Sequence, residues 1–213
     1  MKNSRKNFII IVLVMIFTVL LTGCKKEDEY NPIPEFKLEN AIKINDDLSI
    51  TATLVDTFDE DYYRTDELLQ MLSEEVFIFN SRNGEGSLLA EKVEEQDGMV
   101  NVVIKFDGRE AYATYNEAVF FVGTVEAALN SGLRLGKVLT DITNPDKTID
   151  NEALETMKDT YILITNQHRE IAPFTVETFG KVSYVSDGIE PWYGRNSVRI
   201  TAAKDDLIYI LFK

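Results

Sequence analysis

The 213-residue chain contains one cysteine, one histidine and one tryptophan. One cysteine excludes an intrachain disulfide, and so few sulfur and imidazole ligands exclude zinc sites built from several Cys or His. The lone imidazole, His168, is flanked by Gln167, Arg169 and Glu170 and reads as part of a solvated turn, not as the base of a nucleophilic triad. Positive charge is also scarce: 22 Lys and Arg stand against 36 Asp and Glu, a formal charge of -14. Phosphate binding needs concentrated Lys and Arg, so no nucleic-acid partner is expected. Gly84, Gly86 and Gly98 form neither a dinucleotide-binding nor a phosphate-loop pattern, and no cofactor is expected. Asp59, Glu60 and Asp61 offer hard oxygens but lack the alternating ligands and reversing glycine of a calcium loop, so no metal is assigned.

What the chain does hold begins at its N-terminus. Lys2, Arg5 and Lys6 precede Phe8 to Leu21, 14 residues without a charge and apolar except for Thr18. A permanent transmembrane helix needs roughly 20 apolar residues. The run is short for a span and has the basic, apolar, small-residue order of a secretory signal peptide. It ends in Leu21-Thr22-Gly23-Cys24, which resembles the lipobox of bacterial lipoproteins. The resemblance implies signal recognition through Leu21, Thr22 and Gly23, cleavage before Cys24 and a diacylglycerol on the Cys24 sulfur. It thereby implies a membrane partner reached through the N-terminal lipid. Two acyl chains bury many CH₂ groups at roughly 0.8 kcal/mol each, which makes such attachment long-lived. Lys25, next after the acylated residue, is not the acidic residue associated with inner-membrane retention. The location that the resemblance implies is the outer face of the cell membrane of a Gram-positive bacterium. Removing residues 1–23 leaves 190 residues; the 22 Lys and Arg lose three, leaving 19 against 36 acids and a formal charge of -17.

That length suffices for one sizeable core. Residues 24–41 read as the acylated N-terminus and a flexible acidic tether broken by Pro32 and Pro34, and 42–213 as one extracytoplasmic domain. A break near Asp141 to Asp150 is the alternative. Ile42, Ile44, Leu48, Ile50, Ala52 and Leu54 alternate with polar residues around Asn45-Asp46-Asp47, which predicts a hairpin with one buried face. Leu68, Leu72, Val76 and Phe79 recur at helical spacing and predict the principal helix over 66–79, capped by Thr65. Leu88 to Glu95 and Met99 to Phe106 flank Asp97-Gly98, a tight-hairpin signal. Short helices are expected near 108–117, at 125–130 behind a Thr124 cap, and behind an Asp150 cap. Further strands are expected at 118–122, near 133–139, and at 161–165, 174–179, 182–185, 198–201 and 207–212, with 186–196 a long loop. The sum is an α+β fold: mainly antiparallel sheet, one principal helix packed on a face, and short additional helices.

Asp59-Glu60-Asp61-Tyr62-Tyr63, Asp66-Glu67-Leu68, Glu74-Glu75 and Tyr112-Ala113-Thr114-Tyr115-Asn116 together look like a group of uncharacterised lipoproteins of gut Firmicutes, and the likeness implies one extracytoplasmic domain. Acidic pairs are numerous, but linear adjacency does not place two carboxyls across a sugar ring as glycoside hydrolysis requires. The binding candidates are Trp192, Tyr193 and Arg195, in a loop where Pro191 and Gly194 can hold flat rings outward, together with Tyr62 and Tyr63; the alternative is that Trp192 folds back over the sheet and Arg195 pairs with Glu190 or Asp187. No catalytic residue is assigned. The leading expectation is a lipid-anchored binding or assembly module whose partner is an envelope protein, peptide or glycan. A carboxylate-dependent envelope hydrolase using residues such as Glu74 or Asp187, and a purely structural envelope protein, stand as alternatives. Mass spectrometry of the native protein is expected to find an N-terminal peptide beginning at acylated Cys24. An intact signal and a free thiol on cytosolic protein would overturn the anchor.

Overall fold

The computed structural model describes residues 33–58, 60, 64–133, 138–166, 173–201 and 207–213. Leu21, Thr22, Gly23 and Cys24, the tyrosines Tyr62 and Tyr63, Asp59, Asp61 and His168 lie outside the described residues. The chain opens with β1 (Asn40–Ile44), β2 (Ile50–Thr57), α1 (Thr65–Asn83), β3 (Leu88–Gln96), β4 (Met99–Phe106) and α2 (Arg109–Tyr115). It continues with β5 (Phe120–Thr124), α3 (Val125–Asn130), β6 (Leu139–Asp141), β7 (Thr148–Ile149) and α4 (Asn151–Glu155). It closes with β8 (Tyr161–Thr165), β9 (Phe174–Glu177), β10 (Val182–Val185), β11 (Ile189–Pro191), β12 (Ser197–Ile200) and β13 (Ile208–Phe212). The fold is α+β with two mostly antiparallel sheets and one principal helix.

One sheet runs β11-β12-β9-β1-β2-β4-β3 and the other β5-β8-β13-β10-β6-β7. β1 and β9 pair in parallel, which places β1 in the interior of its sheet. The inner faces of the two sheets contribute to one core: Ile42, Ile50, Ile104, Phe106, Phe174 and Val198 from the first, Val122, Leu163, Ile208, Ile210 and Phe212 from the second. The second sheet has apolar packing on its other face as well, where Phe121, Ile162, Ile164, Tyr209 and Leu211 meet Val125 and Ala128 of α3 and Leu154 of α4. That double burial explains why β8 and β13 read as unbroken apolar runs, whereas β1 and β2 alternate.

The principal helix is longer than its periodicity implies, and its N-cap is Arg64 rather than Thr65. Arg64 takes an extended conformation and grips Asp66 through Nε and Nη2 at 3.0 and 3.1 Å, so Thr65 enters the first turn. Leu72 is buried, and Val76 and Phe79 pack against the shared core. Phe79 meets the Tyr115 ring edge-on at 5.5 Å, and Phe106 meets Tyr112 at 4.9 Å. Asn80 ties the helix to β3: its Nδ2 donates to the Leu88 carbonyl and its Oδ1 accepts from the Leu88 N–H, both at 2.8 Å. Thr124 and Asp150 cap α3 and α4 through Ala127 N–H and Ala153 N–H.

Several boundaries differ from the sequence reading. Leu54 shares the buried face of β2 but is exposed, because β1 begins opposite it and leaves β2 one flanking neighbour there. The strand expected at 118–122 is shifted to Phe120–Thr124. Of the strand expected near 133–139, residues 134–137 lie outside the described ones and pairing starts at Leu139. The suspected break at 141–150 is a β6–β7 hairpin within the second sheet. The loop expected at 186–196 contains β11, an edge strand, where Pro191 is tolerated because one side of its backbone has no ladder to serve. Residues 33–39, expected as tether, are bound to the first sheet.

Asn80→Ala is expected to destabilise the fold by about 1–3 kcal/mol, because two fully buried backbone groups at Leu88 lose their side-chain partner. Urea denaturation against the exposed control Gln70→Ala, expected within about 0.5 kcal/mol of wild type, checks it.

Candidate functional site

An interior strand leaves the preceding chain two routes: off the end of the sheet or across a face. Residues 33–39 take the second and lie over the outer face of the first sheet as a strap. Lys37 N–H donates to Asn101 Oδ1 at 2.7 Å and Asn101 Nδ2 returns a bond to the Lys37 carbonyl at 2.9 Å, which ties the strap to β4. On the other side of β1, Lys37 Nζ pairs with Glu177 of β9. Glu39 accepts from Thr175 Oγ1 at 2.7 Å and from Arg199 of β12, Nε at 2.9 Å and Nη2 at 2.7 Å. Ala41 and Thr53, which point away from the core, are buried at 5% and 7% exposure. Burial on that face is the signature of the strap.

The strap and the β11–β12 turn enclose a cleft of about 270 Å³. Ile33, Pro34 and Leu38 of the strap form one wall, Trp192 and Tyr193 of the turn another, and Lys37, Glu39, Thr175, Glu177 and Arg199 the polar remainder. The turn is closed by Trp192 N–H donating to the Ser197 carbonyl at 3.1 Å, and Gly194 supplies the left-handed residue, φ 68°, that reverses the chain. Trp192 and Tyr193 meet edge-on at 5.1 Å, and the Arg199 guanidinium lies 4.6 Å from the Trp192 ring centroid. Trp192 remains 38% exposed. The Glu39 carboxylate, hydrogen-bonded to Arg199, raises the Arg199 pKa and holds it as a cation.

Of the residues expected to bind, Trp192 and Tyr193 come together at this cleft, while Arg195 is exposed and does not line it. The cation beside the rings is Arg199. Two strand positions separate Arg199 from the turn, and it stacks on Trp192 from the sheet face, whereas Arg195 sits in the turn with its carbonyl accepting from Val182 N–H at 2.8 Å. Lys37, Glu39, Thr175, Glu177 and Arg199 were not anticipated. The available signal was period two: Arg199 lies between Val198 and Ile200, and Glu177 follows Val176, so each charge interrupts a buried strand and must face away from the core. Which charges then meet depends on the strand order.

The acids nominated for catalysis lie elsewhere. Glu74 is exposed on α1, where its carboxylate accepts from Gln70 Nε2 at 3.2 Å, and Asp187 caps the exposed turn at Gly188. A wider groove of about 390 Å³ lies between α1 and α2, lined by Glu75, Ile78, Phe79, Arg82, Asn83, Thr114 and Tyr115. There the Tyr115 hydroxyl donates to Glu75 at 2.8 Å, and burial followed by that carboxylate pushes the phenol pKa above its ordinary value. Among the described residues no group of three or more His, Cys, Asp or Glu is placed to hold a metal ion, and no helix is long and apolar enough to cross a membrane.

No protein-family model matches the chain, no curated protein matches it, and no solved structure matches it.

Glu39→Ala is expected to release the strap locally without unfolding the sheets, since it removes the carboxylate shared by Thr175 and Arg199. Tryptic cleavage after Lys37 should accelerate about tenfold, the equivalent of about 1.4 kcal/mol of local stability, while far-ultraviolet circular dichroism is unchanged.

Proposed function

We propose that the chain is a lipid-anchored extracytoplasmic binding or assembly module, and that its recognition site is the cleft between the strap and the Trp192–Tyr193 turn. The observation that carries the reading is the pair of aromatic rings held at the mouth of a concave site while Trp192 stays accessible. A purely structural role would call for these rings to be packed away. Rigid aromatic side chains lose little conformational entropy on contact and dominate binding surfaces of this size.

Hydrolysis is the weaker reading at this site. Cleaving a glycoside requires one carboxyl to act as proton donor. Glu39 and Glu177 instead accept hydrogen bonds from Arg199 and Lys37.

The anchor gives the site its place. Nine peptide steps separate Cys24 from Ile33, the first described residue of the cleft wall. At roughly 3.3–3.6 Å per residue, an acylated Cys24 keeps that wall within about 30 Å of the membrane surface. The partner is therefore a component of the envelope that lies against the outer face of the membrane.

Trp192 is the only tryptophan of the chain, so its fluorescence reports on the cleft directly. Emission of the full-length chain in detergent is expected to shift saturably when purified cell-wall fragments or envelope proteins are added. Tyr193→Ala should weaken that response about tenfold, in the range of an interface residue worth more than about 1 kcal/mol. An unchanged affinity in Tyr193→Ala would move recognition away from the cleft.

A further inference from the structure

We propose that the occupant of the cleft is an uncharged sugar ring of an envelope glycan; this rests on the binding reading above and names its ligand class. Charge is the first discriminator. The cleft holds two cations and two anions, each matched inside the site: Lys37 with Glu177 and Arg199 with Glu39. An anionic ligand could reach the spare protons of Lys37 only by lying beside the Glu177 and Glu39 carboxylates, on a chain that already carries a formal charge of -14. A cationic ligand meets the same obstacle with the signs reversed. In each case the like charge beside it offsets the new contact unless the existing pair opens, and opening a partly buried pair is costly. A neutral ligand leaves both pairs closed.

Hydrogen-bonding capacity is the second discriminator. Lys37 Nζ has three protons and gives one to Glu177 Oε1. Among the described residues Glu177 Oε2 has no hydrogen-bond partner, and Glu177 lines the cleft. The site thus offers a spare ammonium donor beside a spare carboxylate acceptor. A hydroxyl both donates and accepts, so neighbouring hydroxyls on a ring satisfy the two together. Shape is the third. The lining combines apolar Ile33, Pro34 and Leu38 and the rings of Trp192 and Tyr193 with the polar side chains of the strands beneath the strap. A sugar ring has the same division, with an apolar C–H face and a hydroxyl edge. The volume of about 270 Å³ lies below the roughly 300–1,000 Å³ of drug-sized sites, which fits a single ring better than a length of peptide.

A charge series on one scaffold tests this. The full-length chain in detergent is titrated with neutral chitotriose and cellotriose, the cationic trimer of glucosamine and anionic trigalacturonate, with Trp192 emission as the readout. At least one neutral trimer is expected to bind saturably, at least about tenfold more tightly than either charged trimer, a difference of 1.4 kcal/mol. Its affinity should change less than about twofold between low and high salt, because no net charge is neutralised. Glu177→Gln should weaken the neutral trimer about tenfold and Arg195→Ala should leave it unchanged. Tighter binding of a charged trimer, or of an envelope peptide with no response to neutral sugars, would overturn the ligand class and leave the cleft as a binding site. Silence of Trp192 toward every sugar, peptide and cell-wall fragment would overturn both.

Discussion

The strap across the first sheet depends on one constraint: β1, the strand nearest the N-terminus, lies inside a seven-stranded sheet and not at its edge. The chain before it can only run off the end of the sheet or cross a face, and residues 33–39 cross the face. Backbone groups on such a route need partners. The Asn101 amide meets both the N–H and the carbonyl of Lys37, and this reciprocal pair pins the crossing to β4. From that point Lys37 and Glu39 reach the carboxylate of β9 and the guanidinium of β12. Without the crossing there would be no second wall for the cleft and no burial of Ala41 and Thr53.

On the proposed reading, the same strap stands between an acylated Cys24 and the cleft. The strap continues directly from the segment that follows Cys24, and five of its residues line the cleft. The ion pairs there are partly buried, with side-chain exposures of 9–28%, so they are screened less than the surface pairs elsewhere. By comparison Arg64–Asp66 stands open to solvent at 61% and 69% and contributes little beyond the local helix start.

Local structure was legible wherever a short-range rule decided it. Asp97-Gly98 makes the expected hairpin, with φ of 52° and 75°. Thr124 and Asp150 cap their helices as expected, because a cap needs only a side chain and a backbone amide three residues on. Thr65 is not the cap: Arg64 takes the extended cap conformation and Thr65 is the first helical residue. The aromatic half of the cleft was visible as Trp192-Tyr193 bounded by proline and glycine. Its charged half was not, since Glu39 and Arg199 are 160 residues apart and meet only because β1, β9 and β12 are neighbours.

From sequence alone came the hairpins, the principal helix and the likeness of Leu21 to Cys24 to a lipobox, each resting on residues within one turn, one strand pair or one short run, and the α+β class and acidic balance, which are sums over the chain. The tertiary structure decided the order of the strands, the course of residues 33–39 over the sheet and the choice of Arg199 over Arg195 as the cation beside Trp192. Strand alternation states which face a side chain takes but not which strand lies alongside, and a site built across three neighbouring strands exists only once that second question is answered.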